Sequence, residues 1–549
     1  MRDNGLPTGW SEATIGHLIG SDGVFVDGDW IETKDQDPTG DVRLIQLADV
    51  GDGIYRDKSN RYLTRQKAVE LGCTFLDVGD ILIARMPDPL GRACVFPGDP
   101  RRAVTAVDVC IVRTDTKGVN NKWLMHTINS LEIRTAVSGL QSGSTRKRIS
   151  RSNLATIKFP VPPLAEQHRI VAKIEELFTQ LDAGIQELRK ARAQLKRYRQ
   201  AVLKAAVTGE LTNKWRERTT SCQLVEPAQQ AGSLLYVEPA EELLVRILKE
   251  RRAKWEADQL AKMAAAGKTP KSDDWKKKYR EPIKPKLAPP LTLPNRWSWA
   301  TWEQLGFSQN GRLFPSIEYQ AAGVKLLRPG NLHESGKVVW NDRNTRHMPA
   351  HWAEEFPEYM IKGQELVMNL TAQSLRDEFL GRICLTDATE RCLLNQRLAR
   401  LTPIQVSRKY LLYVFKSEMF RRFVNTLNTG SLIQHMFTSQ LAEFSLPLPS
   451  LEEQDQIVAE VERCLSIVDV IEQNLERGFA QAERMRQSIL KQALEGKLVP
   501  QDPNDEPAEL LLERIKIDRA KREAVRRAAN LSRRKRKPTV RQAASLSRK

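Results

Sequence analysis

The sequence predicts a mixed α+β protein made by internal duplication, with two globular α/β domains that are each followed by a long heptad-patterned helix. Three observations carry this. A single offset of 287 residues relates the two halves repeatedly. Late in each half, apolar residues recur on three- and four-residue steps, the mark of a helix with one buried seam. Earlier in each half, short β-branched runs lie between Gly, Asp and Pro, as strands do.

In chain order, residues 1–163 form the first globular domain. It opens on LPTGW (Leu6 to Trp10) and holds strand-like runs at Val42 to Leu47, Gly79 to Arg85 (GDILIAR), Arg92 to Phe96 and Val107 to Arg113. Residues 164–212 are the first long helix. Its seam is Leu164, Val171, Ile174, Phe178, Leu181, Ile185, Leu188, Leu195, Val202 and Ala206. Pro163 suits the helix start, Gly209 suits a C-terminal cap, and Gly184 weakens the middle. Residues 213–292 form a connection with a charged helical stretch (Glu241 to Met263) and a Pro/Lys-rich tether. Trp255, Trp275 and Trp302 could stack on bases, but no aromatic spacing supports a single-strand binder.

Residues 293–450 form the second domain, opening on LPNRW (Leu293 to Trp297), with runs at Val324 to Leu327, Gly363 to Asn369, Arg382 to Leu385 and Arg397 to Leu401. Residues 451–499 repeat the helix, with seam Leu451, Val458, Val461, Leu465, Val468, Leu475, Phe479, Ala482, Ile489 and Ala493. Here Ser450 is a possible N-cap and Gly496 the terminal glycine. Aligned without a gap, Leu164–Thr212 and Leu451–Val499 share twenty of forty-nine residues, where unrelated chains would share about three. Residues 500–549 close the chain. EPAELLLERI (Glu506 to Ile515) echoes EPAEELLVRI (Glu238 to Ile247), and a basic tail reads as disordered from RRKRK (Arg533 to Lys537) onward.

The 86 Lys+Arg against 68 Asp+Glu leave a net charge of +18. From Arg519 to Lys549 there are thirteen basic residues and one acid, so this segment carries +12 of it. A solubilising extension and a non-specific polyanion arm both fit. No apolar run reaches the roughly 20 residues of a membrane span, and the N-terminus lacks a signal core. The seven Cys are scattered without Cys-x-x-Cys spacing, which fits a reducing cytoplasm. No phosphate loop, dinucleotide fingerprint or nucleophile–base constellation is present. His347 and His351 stand four apart without an intervening Glu, a poor zinc pattern. The two domains share termini but little interior, whereas a duplicated enzyme would keep its catalytic residues in both copies.

Two variable domains, each followed by a [PS]-L-x-E-Q-x-x-I-V-A helix ending in G-x-L, resemble the specificity (HsdS) subunit of a type I restriction–modification system. The likeness covers essentially the whole chain apart from the basic tail and part of the 213–292 connection. It implies two target-recognition domains, each reading one half of a bipartite, asymmetric site in double-stranded DNA. It also implies that the long helices form an antiparallel coiled coil with pseudo-twofold symmetry, setting the half-site spacing. Partners would be modification (methyltransferase) subunits, two of them, and restriction (endonuclease/translocase) subunits. S-adenosylmethionine, ATP and Mg would sit on those partners, with no cofactor or metal in this non-catalytic chain. The setting would be cytoplasmic and nucleoid-associated, with no membrane partner. The specificity subunit of a related bifunctional system, a coiled-coil protein-binding scaffold, and a single-chain enzyme are the competing readings.

Base readout favours Arg on guanine and Asn or Gln on adenine, and phosphates attract Lys, Arg and short polar groups. On that basis the expected DNA contacts in the first domain are Arg85, Arg92, Ser144, Thr145, Arg146, Lys147, Arg148 and Arg151. In the second they are Asn369, Gln373, Arg376, Arg382, Ser431, Gln434 and His435, with Asn369 taken as the counterpart of Arg85.

Overall fold

The computed structural model describes residues 5–20, 23–114, 118–143, 147–223, 237–270, 272–286, 291–373, 378–427 and 434–536, the side chains of 219–223 and 526–536 excepted. It divides into two compact units, residues 1–189 with 476–549 and residues 190–475.

In the first unit, an antiparallel sheet runs in the order Val24–Asp27, Val109–Arg113, Ile81–Ala84, Ala93–Val95. A second sheet sets Val42–Ile45 antiparallel to Tyr62–Leu63 and parallel to Arg102–Thr105. Alternation explains the unbroken apolar run in GDILIAR. Ile81 and Ile83 enter one core with Trp123 and Leu124, while Leu82 and Ala84 enter another with Ile45 and Phe96. A strand covered on both faces is apolar throughout. The short strands Val24–Asp27 and Arg102–Thr105 carry no clear alternation, and sequence reasoning missed them.

The second unit repeats this plan. Gly306–Asn310, Leu398–Pro403, Leu366–Asn369 and Ile383–Leu385 form the antiparallel sheet. Val324–Leu327 again lies parallel to a neighbour, Cys392–Leu394. The closing strand pair keeps its register, with Ser11 opposite Val161 in one unit and Ser298 opposite Leu448 in the other.

The long helices are Leu164–Thr208 and Leu451–Leu494, 45 and 44 residues, or about 65 Å each. Within the first unit, Arg486 pairs with Asp182, its guanidinium lies 4.3 Å from the Phe178 ring centroid, and Gly478 faces Leu188. The numbering thus rises along one helix as it falls along the other, so the pair is antiparallel. Within the second unit, Arg199 meets Asp469 at 2.7 Å and Glu472 at 3.1 Å. The seam residues Val171, Ile174, Val458, Val461, Val468 and Leu475 are buried, and Phe178, Leu181, Leu188 and Leu465 half-buried. Ser450 caps its helix, its Oγ accepting from the Glu453 N–H at 3.1 Å. Gly209 and Gly496 take φ of 76° and 67°, the left-handed conformation of a helix-terminating glycine.

The echoed segments dock alike. The Ala240 N–H donates to the Arg296 carbonyl at 3.0 Å and the Ala508 N–H to the Gly9 carbonyl at 2.8 Å, acceptor positions that differ by the same 287. Two expectations are corrected here. The helix begun at Ala508 continues to Arg536, through residues expected to be disordered. A Gly or Pro would have stopped it, and neither occurs before Pro538. The Pro/Lys-rich segment is also no free tether. Trp275 stacks on Trp255 at 5.9 Å, and the Ile283 N–H donates to Glu303 at 2.9 Å. Trp302 is buried in the second core and unavailable for stacking on a base.

Candidate nucleic-acid interface

The repeated Glu-Gln of each helix start fastens the helix to its domain. Trp10 donates through Nε1 to Glu166 at 2.9 Å, and Trp297 donates to Glu453 at 2.8 Å. Gln167 donates to the Pro162 carbonyl at 3.0 Å and accepts from the Asn120 N–H at 2.9 Å. Gln454 does the same with Pro449 at 3.0 Å and Ser407 at 2.8 Å. All four acids and amides are buried, so each bond satisfies a group that water cannot reach. The carboxylates differ. Burial pushes the Glu166 carboxyl up, and its Oε1 has no partner among the described residues. Glu453 also accepts from Thr212 at 2.6 Å and from Arg216.

The predicted contact residues separate by burial. Arg85 is 8% exposed and ties Asp27 at 2.6 Å to the Ile149 carbonyl at 3.0 Å. Arg92 is 4% exposed, and its guanidinium donates to the carbonyls of Leu47, Val50, Met86 and Pro89. Asn369 is fully buried and donates to the Thr371 and Phe379 carbonyls at 2.7 and 2.9 Å. These three expectations are corrected: the side chains hold turns together, and reaching DNA would orphan buried carbonyls. Arg382 is half-buried, one Nη donating to the Leu332 carbonyl at 3.3 Å, and Gln434 is buried.

Lys147, Arg148, Arg151, Gln373 and His435 are exposed. Arg148 and Ser142 exchange backbone hydrogen bonds at 2.8 and 2.9 Å, with the exposed Lys147 next to this pair. Arg148 meets Asp108 at 2.6 Å, and Arg151 donates to the Phe25 carbonyl at 2.8 Å. Ser144, Thr145, Arg146, Arg376 and Ser431 lie outside the described residues.

The counterpart of Arg85 also changes. Its N–H donates to the Asp108 carbonyl, and in the second unit the Leu370 N–H donates to the Arg397 carbonyl, both at 2.9 Å. Leu370 therefore stands where Arg85 stands, and Asn369 matches Ala84. Aligning Gly79 with Gly363 causes the slip. Gln364, at φ 52°, takes the position that Gly79 takes at φ 94°. A one-residue shift moves every side chain to the opposite face.

Two domains of one topology, joined to the paired helices by the same bonds, define a duplicated protein whose two copies keep the joint and differ in their exposed polar residues. This chain belongs to the type I restriction–modification DNA specificity family, whose domain model matches residues 9–190 and 373–477, more than half of its length. The specificity subunit of the type I restriction enzyme EcoAI of Escherichia coli is 23% identical over 495 residues, 84% of this chain and 78% of that one. The EcoKI specificity subunit of Escherichia coli strain K12 is 26% identical over 424 residues, 75% and 74% of the two chains. A solved chain from work on complex assembly and conformational transition of the type I R-M system matches with a TM-score of 0.55 at 17% identity, covering 90% of this chain and 99% of that one. Among the described residues, no helix is long and apolar enough to cross a membrane.

Proposed function

We propose that this chain chooses the DNA target of a type I restriction–modification complex without catalysing any step itself. Each domain reads one half of a bipartite, asymmetric site, and the antiparallel helices set the number of unspecified base pairs between the halves. Modification subunits, bringing S-adenosylmethionine, dock on the domain–helix units, and restriction subunits, bringing ATP and Mg, join that core. The observation that carries the reading is the contrast between the two copies. The Trp–Glu–Gln joint is kept bond for bond, while the exposed residues differ, Lys147, Arg148 and Arg151 in one domain against Gln373 and His435 in the other. A shared partner accounts for the constant part and two different half-sites for the variable part.

The test is single-molecule sequencing of genomic DNA from cells with and without the gene, with the modification partner co-expressed. The expected result is loss of N6-methyladenine from one two-part motif with a fixed spacer. An unchanged methylome, with the partner co-purifying with this chain, would refute the reading.

A further inference from the structure

We propose that the second domain reads bases from a cleft between Leu313 and Arg397, and that His435, on the short strand paired with Thr371–Ala372, does not. The inference rests on the DNA-reading role given above and assigns its chemistry. The equivalence of the two domains fixes the place. Asp29 bridges in parallel to Ala106 in the first domain, and Arg312 bridges to Asn395 in the second. Just before each bridge, Gly28 and Gly311 lie so close to the carbonyls of Ala106 and Asn395 that an added Cβ would fall 2.1 and 2.2 Å from them. The match has no slack: Trp30 corresponds to Leu313 and Asp108 to Arg397. The Ile149 N–H donates to the Arg85 carbonyl and the Met436 N–H to the Leu370 carbonyl, so Arg148 corresponds to His435.

The charge pattern on this common frame is inverted. In the first domain the turn offers Asp108, which pairs with Arg148 at 2.6 Å, so that Arg148 supplies the positive charge. In the second domain the turn itself carries Arg397; Arg312, at the place of Asp29, packs on the Phe356 ring instead. Arg397 is exposed, and among the described residues neither Arg397 nor Arg328 forms an ion pair. Together with Leu313, Ile317, Asn395 and Gln396 they line a cleft of about 650 Å³. Leu313 is 62% and Ile317 92% exposed, and Trp30 in the first domain is 70% exposed. Large apolar side chains left in water at the same place in both copies do nothing for the fold, and mark a contact surface.

The side-chain set is the one that reads a major groove: Arg for guanine O6 and N7, Asn or Gln for adenine, and an apolar group for the thymine methyl. A site for a partner common to both halves would keep its residues, as the helix starts do. The change from Asp108 to Arg397 instead fits two different base sequences.

The test uses the complex of this chain with its modification subunits and compares methylated motifs. Arg397→Ala should relax one position in one half-site, losing about ten- to a hundredfold of discrimination, with the other half strict and the complex intact. Arg397→Lys should relax it too, since a lysine keeps a phosphate contact but not the bidentate fork. His435→Ala should leave the motif unaltered. The proposal is overturned by an unaltered motif in Arg397→Ala, by full recovery of the motif in Arg397→Lys, or by loss of subunit assembly in Arg397→Ala. A wild-type complex that methylates no two-part motif sinks the broader role itself, before any variant is made.

Discussion

Glu166 and Glu453 occupy equivalent positions and accept the same tryptophan bond, yet replacing each by glutamine should move stability in opposite directions. Glu453 accepts from Trp297, Thr212 and Arg216, and Arg216 is half-buried. Glutamine can keep the Trp297 bond, but its amide faces the guanidinium donor to donor. The loss is at least one charge-assisted hydrogen bond, about 1.5–3 kcal/mol, or a fall of roughly 5 °C in the unfolding of a unit this size, with the Thr212 bond to the same oxygen lost beside it. Among the described residues Glu166 accepts from Trp10 alone, and burial holds its carboxyl above the ordinary value of 4.5. A group whose folded pKa is raised favours the fold most below its unfolded value, and that contribution is lost as pH climbs through the folded one. Glu166→Gln removes this charge, so it should stabilise at neutral pH, with the gain vanishing below about pH 4.5, where Glu166 is protonated folded or unfolded. Calorimetry of the full chain gives the signs. Hydrogen exchange in peptides covering residues 6–14 and 293–301 places each effect. Destabilisation by both variants at pH 7, or a Glu453→Gln loss under about 0.5 kcal/mol, would refute the reasoning.

Further outcomes are expected elsewhere. Gly184 has open space around its missing Cβ, so Gly184→Ala should stabilise the helix by about 1 kcal/mol in urea unfolding. The His126 imidazole is pushed down to about 4 by burial, its ring edge-on to Phe178 at 5.6 Å. Stability should therefore fall as pH drops from 6.5 toward 4, by on the order of 3 kcal/mol, and His126→Gln should flatten that part of a pH–melting curve. Lys147→Ala and Arg148→Ala should each weaken DNA binding on all sequences and lower the slope of log K against log salt by about 0.9 for every phosphate no longer neutralised.

Much of the architecture is legible in residue order because its signals are local or repeated. The heptad steps find both long helices, Gly209 and Gly496 find their ends, and the 287-residue offset pairs the parts. The interface is less legible. A buried Arg85 and an exposed Arg148 look alike as letters; only the carbonyls gathered around a side chain decide whether its donors are free. Leu313 and Ile317 read as ordinary core residues, and nothing local tells that their side chains face water. Matching glycines aligned Gly79 with Gly363, because sequence comparison cannot know that Gln364 adopts the left-handed conformation.

By itself the sequence determined the duplication, the heptad helices, the excess positive charge near the C-terminus and the family likeness, since period, spacing and composition are properties of the chain alone. The tertiary structure decided which arginines reach the surface, that Trp275 and Ile283 of the linker are docked, that the C-terminal helix runs on to Arg536, and that Asp108 and Arg397 stand on one frame with opposite charge. Those outcomes depend on contacts between residues tens to hundreds of positions apart. Burial and hydrogen-bond satisfaction arise only when such residues meet.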